Sequence, residues 1–103
     1  MPKREKGVGE WIRDHLENNG TAYVREMHRA YSDWCEERDY TACDYDGFRR
    51  QIYLLRRLGL IELDHTEPGT RGPFRRRYYR IAPGADAADW QNPQKQVYGD
   101  YPA

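Results

Sequence analysis

Cysteine is scarce in this chain: Cys35 and Cys43 are the only two among 103 residues, which argues against a disulfide-stapled scaffold. In a reducing compartment two such thiols are expected to act as small buried hydrophobes. Long apolar runs are also missing, since no uninterrupted stretch exceeds four residues, far below the roughly 20 that span a bilayer. The opening MPKREK lacks the apolar centre of a secretion signal, so the expected location is cytoplasmic, nucleoid-associated in a prokaryote, with no membrane partner. Catalytic signatures are absent too. No nucleophile–base pairing, phosphate-cradling glycine loop or paired carboxylate motif is present, and neither enzymatic activity nor a cofactor is expected. His28, Cys35 and Cys43 come nearest to a metal set, but their spacing matches no zinc pattern and a fourth ligand is not evident.

Net charge is the last absence. Seventeen Lys and Arg balance seventeen Asp and Glu, which taken alone argues against a nucleic-acid partner. The distribution reverses that reading. Residues 1–48 carry seven basic against eleven acidic side chains and residues 81–103 carry one against three, whereas residues 49–80 carry nine arginines against three acids. A cationic segment within a neutral chain makes a local field, and local field rather than total charge attracts phosphate.

What is there suits one small domain with a modest core, whose apolar surface comes largely from Tyr, Trp and Leu. Val8, Trp11, Ile12, His15 and Leu16 share one helical face, and Asn18-Asn19-Gly20 stops that first helix. After a Thr21-Ala22 link, Tyr23, Met27, Ala30, Tyr31 and Trp34 repeat at helical spacing to about Arg38, a stripe read as core. Thr41 or Asp44 can cap a third helix that begins near Tyr45. Within it Tyr45, Phe48, Ile52, Leu55 and Leu58 turn to one side, and Asp46, Arg49, Arg50, Tyr53, Arg56 and Arg57 to the other. Gly59 ends the helix, residues 60–64 read as a strand, residues 65–73 as a loop, and a second strand runs from about Arg75 to Ile81. The expected fold is therefore α+β, mainly α, with three helices and a C-terminal two-stranded hairpin. Residues 1–6 form a basic arm, 7–82 the domain, and 83–103 a mostly irregular tail in which Trp90 can fold back.

Three helices, a hairpin, and a third helix that runs through LLRRLGLI (residues 54–61) into the first strand together resemble the winged helix-turn-helix superfamily over roughly residues 8–82. The stretch RYYRIA (residues 77–82) is similar to the return strand of the wing in PadR-like regulators. The resemblance implies a sequence-specific regulator that binds double-stranded DNA, with the exposed face of the third helix in the major groove. A helix fits that groove, and to read it must bury one face and offer donors on the other. Carried over, Arg49, Arg50 and Tyr53 become candidate base readers, and Arg56 and Arg57 candidate phosphate clamps. Arg71 at the wing tip, with Arg75, Arg76 and Arg77, would lie along a neighbouring backbone or enter the minor groove, and Thr41 joins the candidate DNA contacts. Any homodimer would use the first helix or the tail with Trp90, Val97 and Tyr98.

Each feature has a plainer reading. Exposed arginine on a helix is usually a solvated face, and Asp46 would repel phosphate, although an acid there favours the helix dipole. Two rival functions stand beside DNA binding. A protein-interaction module would be expected to show apolar or mixed charge on the third helix, and an RNA-binding protein would rely on the hairpin, because the A-form major groove excludes a helix.

Overall fold

The computed structural model describes residues 7–69 and 75–90. Within them the chain runs α1 (Val8–Asn19), β1 (Ala22–Tyr23), α2 (Val24–Glu37), α3 (Tyr45–Arg57), β2 (Ile61–Pro68), β3 (Arg75–Ile81) and a single 3-10 turn (Ala85–Ala87). It is a mainly helical α+β arrangement of three helices and a three-stranded antiparallel sheet.

Each helix buries the stripe that its apolar spacing dictates. Trp11, Ile12 and Leu16 of α1, Met27, Tyr31 and Cys35 of α2, and Phe48, Ile52 and Leu55 of α3 are all buried. The three stripes meet at an aromatic node, where Trp11 packs edge-on to Tyr31 at 5.3 Å and Tyr31 lies 5.6 Å from Phe48. The start of α3 is fixed by Asp44, whose carboxylate accepts from the Gly47 backbone N–H at 2.7 Å. Its exit is fixed by Gly59, at φ +77°, a conformation that costs residues with a Cβ about 1 kcal/mol or more. Neither cysteine is in a disulfide.

The sheet departs from the expected two-stranded hairpin. Ala22 and Tyr23, expected as a link and the start of a helix, form a third strand that pairs with β3, Ala22 opposite Tyr79 and Tyr23 opposite Tyr78. Strand order is β1-β3-β2, which places β3 in the centre. Two residues are too few to show a period-two pattern, and their partner lies far along the chain. The expected loop also begins later than the sequence suggests. His65, Thr66, Glu67 and Pro68 continue β2 opposite Tyr78, Arg77, Arg76 and Arg75, with a register shift between Leu63 and His65. A bulge of this kind absorbs the extra residue and lets pairing resume through turn-prone side chains.

The core extends past the sheet. Trp90 is 1% exposed, its indole N–H donates to the Ala85 carbonyl at 2.7 Å, and its backbone lies directly over Gly9 of α1. A methyl group at Gly9 would overlap the Trp90 carbonyl oxygen.

Candidate functional site

The apolar stripe of α3 is spent on the core, so its opposite face must look outward. Arg49, Arg50, Tyr53 and Arg56 lie on that outward face, spaced so that all four flank one side of the helix. Beside them stand the start of α2 and the start of β3. Together these elements bound an open groove of about 1030 Å³.

The described lining of the groove carries eight arginines and no carboxylate: Arg25 and Arg29 from α2, Arg49, Arg50 and Arg56 from α3, and Arg75, Arg76 and Arg77 from β3. Tyr23, Tyr45, Tyr53 and Tyr79 stand between them. Among these arginines the described ion pairs reduce to one, Arg49 with Asp46 at 3.7 Å, and both of its side chains are more than 60% exposed. A pair so exposed and so long contributes at most about 1 kcal/mol and yields readily to a phosphate. Several guanidinium groups instead lie over rings. Arg25 sits over Tyr45 at 4.6 Å, Arg76 over Tyr23 at 4.8 Å and Arg56 over Tyr79 at 5.7 Å. A ring face attracts the cation without cancelling its charge.

Seven of the residues expected from the sequence converge here: Arg49, Arg50, Tyr53, Arg56, Arg75, Arg76 and Arg77. Arg57 stands outside the lining, its guanidinium over the Tyr53 ring at 5.9 Å. Thr41 is exposed on the connection before α3, also outside the lining, and Arg71 lies outside the described residues. Five arginines and tyrosines of the lining stand outside the expected set: Arg25, Arg29, Tyr23, Tyr45 and Tyr79. Arg25 and Arg29 lie four apart on the polar side of α2 and looked like part of a mixed-charge solvated face, while Tyr23 and Tyr45 were read as core. The available signal was the Arg-x-x-x-Arg spacing, which marks one helix face but does not say what that face meets.

Elsewhere on β2 and β3 the character is opposite. Arg80 donates to Glu62 at 2.8 Å and to Asp64 at 3.1 Å, and the Glu62 contact holds its guanidinium proton more firmly still. His65 lies between Asp64, 2.6 Å away, and Glu67, 3.3 Å away. The hydrogen bond to Asp64 raises the imidazole pKa, and the same bond lowers that of the carboxyl. Charges here are matched in pairs, whereas in the groove Arg49 alone has a described carboxylate partner.

The remaining histidines serve the interior. Burial lowers the pKa of His15, which stacks on Trp11 at 4.9 Å. The His28 ring nitrogen Nε2 donates to the Cys43 carbonyl at 2.9 Å, so it must carry the proton. No group of three or more metal-ligating side chains comes together among the described residues, and no helix among them is long and apolar enough to cross a membrane.

Compared with known proteins, the chain matches no family, and neither a curated protein nor a solved structure is significantly similar to it.

Proposed function

We propose that this protein binds double-stranded DNA in a sequence-specific manner as a winged-helix transcriptional regulator, with the outward face of α3 in the major groove and the arginines of β3 on the flanking backbone. The single observation that carries the reading is the convergence of eight arginines, with no carboxylate among the described lining residues, on one groove that the exposed face of α3 lines. Phosphate supplies most of the affinity of a DNA-binding surface, and guanidinium is the side chain best matched to it. Base edges supply the specificity, and Arg49, Arg50 and Tyr53 project where α3 would read them.

The helix also favours B-form DNA over RNA. Three of the eight arginines ride on α3, which fits the wide major groove of DNA and is excluded from the deep, narrow one of A-form RNA. A protein partner would need to match this surface with a block of carboxylates.

The test is competition for the full chain among duplex DNA, single-stranded DNA, double-stranded RNA and an acidic polypeptide at several salt concentrations. Duplex DNA should compete best, with a log-log salt slope of about −4 to −6 if about five or six arginines meet phosphates. Stronger competition from RNA or from the acidic polypeptide would overturn the reading.

A further inference from the structure

Like charges gathered on one concave surface repel one another, and proteins commonly relieve that repulsion with carboxylates. Such pairing also removes the field that a polyanion would feel. At two points on different elements of the groove the partner is a neutral ring. Arg25 of α2 lies 4.6 Å from the centre of the Tyr45 ring on α3, and Arg76 of β3 lies 4.8 Å from that of Tyr23 on β1. Neither arginine makes an ion pair with a described carboxylate, although Arg76 stands opposite Glu67 in the sheet and both interact with the Tyr78 hydroxyl.

Both rings are themselves held in place. Tyr45 is half-buried and meets the His28 ring edge-on at 5.7 Å, with 72° between the planes. Tyr23 is half-buried and stacks on Tyr78 at 5.3 Å, with 11° between the planes. A fixed ring face restrains a guanidinium that would otherwise sample many rotamers, and it leaves the in-plane N–H groups to donate to an anion. It does so at no cost in net charge.

We propose that Tyr45 and Tyr23 are positioning residues for anion binding, each holding one groove arginine by its ring face without neutralising it. The inference rests on the reading of this groove as a phosphate-binding surface. It predicts that the aromatic ring matters and the hydroxyl does not.

The experiment compares Tyr45→Leu, Tyr45→Phe, Tyr23→Leu and Tyr23→Phe in the full chain, each checked for folding by circular dichroism. Affinity for a labelled mixed-sequence duplex is measured across salt concentrations, and retention on a heparin resin is measured in parallel. Each Leu variant should bind about two- to fivefold more weakly with an unchanged salt slope, because preorganisation is lost while every charge remains. Each Phe variant should match the wild type. Arg25→Ala should lower the slope by about one, and Tyr45→Leu should have no further effect in that background. Leu variants that bind like the wild type, or Phe variants as weak as Leu, overturn the proposal. Should a Leu variant fail to fold, the free wild type decides. The side-chain protons of Arg25 and Arg76 should show upfield ring-current shifts in its NMR spectrum, and unshifted resonances would overturn the assignment. If the wild type fails to bind duplex DNA, the DNA reading alone falls, and the same pattern is sought in heparin retention.

Discussion

Arg50 and Arg80 carry the same guanidinium in opposite circumstances. Arg50 is exposed on the outward face of α3 and lines the groove, whereas Arg80 is held by Glu62 and Asp64 on the hairpin. A guanidinium already matched by two carboxylates has little to offer a phosphate, because binding would first have to break those contacts. Position in the sequence does not separate the two, since both belong to the basic segment of residues 49–80. Their surroundings do. Arg50→Ala should cost about 1–3 kcal/mol of duplex affinity and relax base preference, measured by anisotropy against a panel of single-base variants. Arg80→Ala, assayed alongside, should leave affinity within about twofold of the wild type. Equal losses from the two substitutions would mean that internal pairing does not decide which arginines bind.

At the scale of elements, the helices hold where their local signals agree, and the sheet depends on contacts distant in sequence. For α3, the apolar positions Phe48, Ile52 and Leu55, the cap at Asp44 and the stop at Gly59 give one answer, and the element spans Tyr45–Arg57. Trp90 had no local pattern around it, yet it closes the core against α1 and the 3-10 turn. Trp90→Ala should therefore destabilise the fold by about 3–5 kcal/mol, read from the urea midpoint. A loss below about 1 kcal/mol would show that the segment after β3 is not part of the core. The cationic face of α3 was legible because the helical period that buries Phe48 and Ile52 turns Arg49, Arg50 and Tyr53 outward. The contribution of α2 was not legible. Arg25 and Arg29 are interleaved with Glu26 and Asp33, and only the packing of α2 beside α3 brings the two arginines to the groove. Strand β1 was hidden for a similar reason, since a two-residue strand exists only through its partner β3. His65 and Thr66 join β2 because the bulge before them restores pairing.

For the whole molecule, a net charge of zero conceals a strong polarity. Arg25 and Arg29 lie in the first turns of α2 and Asp33, Glu36 and Glu37 toward its end, so one helix carries charge of opposite sign at points centred about 12 Å apart. The cationic end joins the groove. An anionic body behind a cationic face would orient an approaching polyanion and discourage contact elsewhere, so that a neutral protein presents one binding surface. The most direct test follows backbone amide resonances while duplex DNA is added. The account predicts perturbations concentrated at residues 23–29, 45–56 and 75–77, with the C-terminal half of α2 left unchanged. Perturbations centred on α1 or on the acidic end of α2, or none at saturating duplex, would contradict it.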